Sequence, residues 1–518
     1  MREITENLKF RRQYLFSAKK CAELENWHKE TLDNYILYVH KDCEVSKVEN
    51  LNNISILIGY IIDPKFPQKK SSDILTDIST LSEINQITEF LYGLVGRYVL
   101  LIKKQNRLFF LNDPFGLKTI YYTRYEDEIY AASQPLLIKL VIPIKKGSKY
   151  QQYYDSAYVE KVKEHYLPAG TSLYNEVYHL TPNHYFDSLS FRQIRYFPNK
   201  PIKKKEQEEA LQEFTSLLKK TMIAANNRFR LALAITGGLD SRMILGACKE
   251  IVGDIYFYTL QFRNLTKNSN DIIIPKKLLS HLGLQHNIIN CRKPVNKDFE
   301  EIYINNTDIH HFNDWGLMAS GEHDEFPPGH IAVKGNGVEI GRCIFYRNYQ
   351  LRKHPEISSC EQIFSFNDVA YGWENIPFIR KRVSDWFDEI KNNKDNFGYG
   401  LLDLFYWEHR IGSWLAQNQL ERDIVHDVFL PFNNRELIDV MLSVNPEYRF
   451  LPDFLFYKKS IQILWKELLI QPINPLQQKN NVKNIIKNKM KRLLIGTGVI
   501  NNTTLNRLKS SWIGKFFQ

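Results

Sequence analysis

The apolar positions change their spacing near residue 202. Before that point, runs of β-branched and aromatic residues predict strands at Asn53 to Ile62 (NISILIGYII), Gly96 to Lys104 (GRYVLLIKK) and Arg107 to Asn112 (RLFFLN). Thr119 to Ala132 predicts a hairpin turning at Glu126-Asp127. A solvated stretch, KKKEQEEA from Lys203, then leads into Leu211, Phe214, Leu218, Met222 and Ala225, spaced 3, 4, 4 and 3 apart as on one face of an amphipathic helix. Beyond it the pattern alternates: strand 231–235 (LALAI), helix 241–250, strand 254–260 (DIYFYTL), helix 271–282 and strand 285–290 (QHNIIN). Such β-α-β-α-β alternation predicts a doubly wound parallel sheet with a ligand at the carboxyl ends of its strands. The expected division is 1–202, a strand-rich α+β domain, 203–476, an α/β domain, and 477–518, a tail.

Two glycine turns carry the candidate chemistry. The first, Thr236-Gly237-Gly238-Leu239-Asp240-Ser241-Arg242, joins a buried strand to a helix. Its two glycines let backbone N–H groups approach an anion at the positive helix end. A carboxylate at Asp240 repels a phosphate unless Mg²⁺ lies between them, so the turn predicts a metal–nucleotide complex. The second, Gly335-Asn336-Gly337 followed by Glu339, repeats a glycine turn beside one carboxylate. No Lys follows the first pair of glycines at the spacing of the GxxxxGK[ST] loop.

The first turn resembles the SGGxDS pyrophosphate loop of the N-type ATP pyrophosphatases, with Thr236 keeping the hydroxyl of the usual Ser. AVKGNGVEIGR, Ala332 to Arg342, resembles the SGxGxDE motif of asparagine synthetases, with Glu339 at the metal-binding Asp. DPFGLKTIYY (Asp113 to Tyr122) and LTPNHYFD (Leu180 to Asp187) are similar to segments of that family's glutaminase domain, and DVFLPFNNRE (Asp427 to Glu436) to its EARVPFLDHE segment. The resemblance, over about residues 90 to 450, implies an Ntn-type αββα sandwich followed by a doubly wound ATP-pyrophosphatase domain. It implies an ATP-dependent amide ligase that forms an acyl-adenylate with release of pyrophosphate. ATP and Mg²⁺ are the implied cofactors, with Thr236 to Arg242 and Gly335 to Gly337 on the phosphates and Asp240 and Glu339 on the metal. Leu404 to Leu415, with Trp407, Glu408, His409 and Arg410, reads as a helix combining charge with large apolar residues, and Glu408 is the candidate catalytic residue there; Lys459, beside Lys458 and after Leu451-Pro452, lies near the place of a family lysine and is the second candidate.

Three departures qualify it. Asn336 stands where ammonia-using synthetases carry Glu and the β-lactam synthetase branch Tyr, so the expected base is missing, and Ile340 replaces a second acid. Glutaminases of this type use Cys at position 2, where this chain has Arg2, and its first cysteine is Cys21. The expected amine donor is therefore ammonia or an amino compound, with no glutaminase in the first domain. A glutamine-hydrolysing asparagine synthetase and a non-catalytic nucleotide-binding relative are the alternatives.

Composition narrows the partners. The chain is 518 residues, 43% hydrophobic and 25% charged, as in globular proteins of two or three domains. Its longest apolar run, LYGLVGRYVLLI, is broken by Arg97, and MREITENLKFRR has no signal region, so a cytoplasmic protein is expected. The six cysteines are scattered without a CxxC pair, which argues against zinc. Net charge is +11, but 477–518 holds nine Lys and Arg and no acid, which leaves the rest nearly neutral and argues against nucleic acid. Asn481 to Leu494 has the pattern of a basic amphipathic helix. Two readings stay open, packing on the domain or peripheral contact with an anionic membrane, with Trp512, Ile513, Phe516 and Phe517 as further anchors. Small-molecule carboxylate and amine substrates are the remaining expected partners, and oligomeric state is not legible.

Overall fold

The computed structural model describes residues 7–50, 53–105, 107–342, 355–366, 372–392, 395–450 and 453–474. Arg2, Leu451-Pro452 and the tail expected at 477–518 lie outside the described residues. The described residues are mixed α/β with three sheets, one of them parallel.

The strands before residue 202 form two six-stranded antiparallel sheets. The first runs, edge to edge, Tyr178–His179, Tyr121–Tyr125, Glu128–Ala132, Tyr14–Ser17, Tyr35–Val39 and His28–Leu32. The second runs Arg192–Arg195, His184–Asp187, Arg107–Asn112, Val95–Lys104, Asn53–Ile62 and Val45–Asn50. Successive strand residues point to opposite faces. Ile56, Ile58, Val99 and Leu101 therefore meet Tyr14, Phe16, Leu37 and Val39 in a core between the sheets. Leu57, Leu100 and Ile102 face the other way, into the main core of the molecule with Ile74, Leu75 and Ile78 of helix Ser71–Thr80. Burial on both faces is why these strands read as unbroken apolar runs. The first sheet's outer face, with Leu15, Tyr38 and Tyr130, packs on Leu137 and Ile138 of helix Pro135–Lys139. The expected hairpin turns at Glu126 and Asp127, whose φ of 51° and 62° suit a two-residue turn with both residues left-handed.

The helix expected from the 3-4 spacing spans Gln207–Arg228 and buries Leu211, Phe214, Leu218, Met222 and Ala225. Five parallel strands follow: Arg230–Ala234, Tyr256–Gln261, Asn287–Asn290, His330–Val333 and Val428–Phe429. Ranked by chain position they lie in the order third, second, first, fourth, fifth. The order reverses between the first and the fourth, and at such a switch point the two following loops part and leave a crevice. The sequence places its two glycine turns there.

The antiparallel and parallel sheets are tied together by buried polar contacts. Arg97 pairs with Asp423 and Asp427, and Tyr60 Oη donates to the Val428 carbonyl. Phe115 N donates to Asn433 Oδ1 at 2.8 Å, while Asn433 Nδ2 donates to Asp113 Oδ1 at 2.8 Å. Among the described residues no helix is long and apolar enough to cross a membrane.

Candidate active site

The strands Arg230–Ala234 and His330–Val333 pair in register, Leu233 opposite Val333, so both glycine turns leave the same edge side by side. A Cβ built on Gly335 would lie 2.8 Å from Asp240 Cβ, which puts the turns in contact.

The first turn is closed largely by its own residues. Thr236 N donates to Ser241 Oγ at 3.2 Å and Gly238 N to Thr236 Oγ1 at 3.1 Å. Gly237 N donates to Asp271 Oδ1 at 3.2 Å, so a carboxylate engages one of the N–H groups expected to meet phosphate. The helix begins at Leu239 rather than Ser241, which places Asp240 in its first turn, where the helix dipole favours an acid. Leu239 turns into the main core. Arg242, expected near phosphate, is buried and committed elsewhere. Its guanidinium donates to the carbonyls of Leu468 (3.1 Å), Gln471 (2.5 Å) and Pro472. It thereby holds the segment whose Asn474 N donates to Gly237 O at 3.0 Å against the first turn.

The second turn depends on distant chain. Gly337 has φ of +104°, a left-handed conformation that side chains rarely adopt, and a Cβ there would overlap the ring of Phe115. Phe115 belongs to the DPFG turn between strands Arg107–Asn112 and Tyr121–Tyr125, in which Asp113 accepts from the N–H groups of Phe115 (3.2 Å), Leu117 (3.0 Å) and Lys118 (2.9 Å). The motif that resembled a glutaminase segment is here the brace of the second glycine turn. Asn336 lies half-buried between its glycines. The chain then enters a 3₁₀ turn, Val338–Arg342, and Glu339 Oε2 accepts from Gly337 N at 2.7 Å.

Arg342 ends that turn and joins the carboxylates. Its Nη2 lies 2.9 Å from Asp240 Oδ2 and 3.7 Å from Glu339 Oε1. Burial pulls its pKa down, but Asp240 and Glu339 hold it above the ordinary arginine value. Sequence reasoning passed over this residue, although it is the one basic residue between Gly335 and Arg342. Lys334, just before the second turn, is pulled down to about 7 by burial and by the charge of Arg97.

Glu408 and Lys459 are not brought to these turns by any contact. Glu408 is fully buried and takes both oxygens to Arg195, at 2.6 and 2.9 Å, with Trp386 Nε1 at 2.6 Å and Asn183 Nδ2 at 3.1 Å. This arrangement joins the second antiparallel sheet to the helices that carry Trp386 and Glu408. Lys459 is exposed on helix Leu455–Trp465, and its Nζ donates to Gln207 Oε1 at 3.2 Å, while Lys458 is half-buried. The expected helix from Leu404 to Leu415 is α over Leu401–Phe405 and π over Tyr406–Leu415. Glu408 and Trp407 face the antiparallel sheets, where Trp407 Nε1 donates to the Pro114 carbonyl at 2.7 Å. Tyr406 lies near Glu339 and Arg342, which act on its hydroxyl's charge, and the Arg410 guanidinium sits 3.8 Å over the Trp414 ring and 5.0 Å from that of Tyr166. π-helices are rare and frequently occur at functional sites.

Asp240 and Glu339 are oxygen donors of the kind that Mg²⁺ takes. One nitrogen of Arg342 lies within 4 Å of an oxygen of each carboxylate, which brings the two acids to one place between the turns. Among the described residues no group of three or more His, Cys, Asp or Glu is placed to hold a metal. Mg²⁺ in nucleotide sites needs only one or two carboxylates, phosphate and water completing its shell.

No protein-family model matches the chain. Over 201 residues it is 23% identical to the glutamine-hydrolysing asparagine synthetase 1 of Bacillus subtilis (strain 168), a match that takes in 37% of this chain and 30% of that protein. The chain thus spans under a third of the length of the curated relative it matches. Solved structures with some likeness include the glutamine-dependent NAD⁺ synthetase of Acinetobacter baumannii in complex with ADP, at a TM-score of 0.20 and 14% identity over 44% of this chain and 52% of that one. Another is the B. subtilis glutamine phosphoribosylpyrophosphate amidotransferase complexed with ADP and GMP, at a TM-score of 0.24 and 10% identity over 63% and 90%.

Proposed function

We propose that this protein is an ATP-dependent amide-forming ligase that activates a carboxylate as an acyl-adenylate. The observation that carries the reading is the meeting of two carboxylate-bearing glycine turns, Asp240 and Glu339, at the switch point of one parallel sheet. The sequence likeness to an asparagine synthetase supports it. In the first step a substrate carboxylate oxygen attacks the α-phosphorus, the bond to the bridging oxygen breaks and pyrophosphate leaves. In the second an amine attacks the acyl carbon, the bond to AMP breaks and the nitrogen loses a proton. The first turn of helix Leu239–Ala247 binds and orients the phosphates, joined by Gly237 N and Gly238 N when phosphate displaces Asp271 and the Thr236 hydroxyl from them. Asp240 and Glu339 would hold Mg²⁺, which when bound offsets the charge developing on pyrophosphate.

The two facing antiparallel sheets suit an Ntn-type scaffold, with a division near residue 202, and ammonia or an amino compound would be the amine. Cys21 is buried and its thiol is pushed up to about 11 by burial and Glu23, which disfavours it as a glutaminase nucleophile. The same reading has a cytoplasmic enzyme without nucleic-acid partners.

ATP–[³²P]pyrophosphate exchange across a panel of carboxylates tests it. Exchange with one of them, cut ~10-fold or more by Asp240→Asn and by Glu339→Gln in folded protein, is the expected result. A protein that binds ATP without exchange on any acid is the non-catalytic relative instead. Loss in Asp240→Asn alone would reduce Glu339 to a loop residue.

A further inference from the structure

Asp240 and Glu339 come together across two separate loops, and the space between them is spanned by a side chain of the same chain. Arg342 Nη2 reaches Asp240 Oδ2 at 2.9 Å and Glu339 Oε1 at 3.7 Å. The guanidinium is nine-tenths enclosed, with its carbon 5.9 Å from the Phe454 ring, and burial of this kind strengthens its attraction to both acids. We propose that Arg342 is a built-in counter-ion that keeps divalent metal out of the empty site and moves from the carboxylates to phosphate oxygens when metal and nucleotide enter together.

The reason is electrostatic. A guanidinium and a divalent cation within 4 Å of the same oxygens repel each other strongly in a buried place. The two carboxylates can thus serve the arginine or the metal, but not both, until further negative charge arrives. A triphosphate brings that charge, and a planar guanidinium fork matches phosphate oxygens as well as it matches carboxylate. Arg342 is then a positioning residue that makes metal uptake conditional on nucleotide. The inference rests on the ATP reading for the identity of the incoming anion, but the exclusion of metal from the empty site does not.

The test is Mn²⁺ binding to the full chain followed by EPR, first without nucleotide and then with the uncleavable analogue α,β-methylene-ATP. Arg342→Gln should bind Mn²⁺ alone at least tenfold more tightly than the wild type, and the added Asp240→Asn should abolish that gain. The analogue should raise Mn²⁺ affinity more in the wild type than in Arg342→Gln. Arg342→Met, which keeps an apolar stem of similar length, serves if Arg342→Gln does not fold by thermal melt. Equal Mn²⁺ affinity of wild type and variant without nucleotide overturns the inference, as does equal enhancement by the analogue. Absence of pyrophosphate exchange in the wild type would instead overturn the ATP reading and leave the metal exclusion standing.

Discussion

The two glycine turns look alike in sequence and are built differently. The first is held mostly by hydroxyls and N–H groups within six residues, Thr236, Gly238 and Ser241, with Asp271 and Asn474 added from the parallel half. The second takes its shape from Phe115, more than two hundred residues earlier, and its charge balance from Arg342. Similar local motifs thus differ in what sustains them. Damage to the antiparallel half should reach the second turn and spare the first.

The largest effect that would break this comparison comes from Phe115→Ala. Removing a fully buried ring that lies against Gly337 and packs edge-on to Trp407 should cost about 3–5 kcal/mol. Hydrogen exchange should rise at 335–342 while the amides of 236–241 keep their protection. Equal loosening of both turns would show that Phe115 supports the whole sheet edge and not the second turn in particular.

A smaller contrast separates the glycines themselves. Gly337→Ala meets both a left-handed backbone and the Phe115 ring, a strain of roughly 1–3 kcal/mol for the backbone alone. Gly238 has φ of −82° and a neighbour, Thr236 Oγ1, 3.0 Å from an added Cβ. Thermal melts should therefore fall for Gly337→Ala and stay near wild type for Gly238→Ala, which should instead weaken ATP binding by crowding the phosphate approach. Equal melting losses would erase the distinction.

The smallest expected effect is a slope with pH. Lys334 opens the second turn beside Arg97 of the antiparallel half and His426, and its folded pKa of about 7 lies below the ordinary lysine value of 10.5. Between those values the unfolded chain holds a proton that the folded chain does not, so stability rises with pH above about 7. Below 7 both states are protonated and the full penalty is present. Melting temperatures from pH 6.5 to 9 should rise in the wild type relative to Lys334→Met. Parallel profiles would mean that the amine is solvated.

Much of the architecture was legible in the residues, because local patterns carry it. Strand Asn53–Ile62 and helix Gln207–Arg228 follow from apolar spacing, and the strand–glycine–helix passage at 231–241 follows from backbone needs that only a few residue types meet. The partners of particular side chains were not legible. Arg242 looks like a phosphate ligand by position, yet its guanidinium satisfies carbonyls more than 220 residues later, and Glu408 looks like a pocket acid, yet it neutralises Arg195 more than 200 residues earlier. A buried charge must find a counter-charge, and which one it finds depends on how distant segments meet.

The sequence by itself determined several strands of the first half, the helix at 207–228, the β-α alternation that follows it and the positions of two anion-ready turns, since periodicity and glycine geometry act over a few residues. Only the tertiary structure decided that the two turns leave neighbouring strands, that Phe115 props the second and that Arg342 stands between Asp240 and Glu339. Those contacts depend on strand order and on the docking of one half on the other, which join residues far apart in the chain and leave no mark in local spacing.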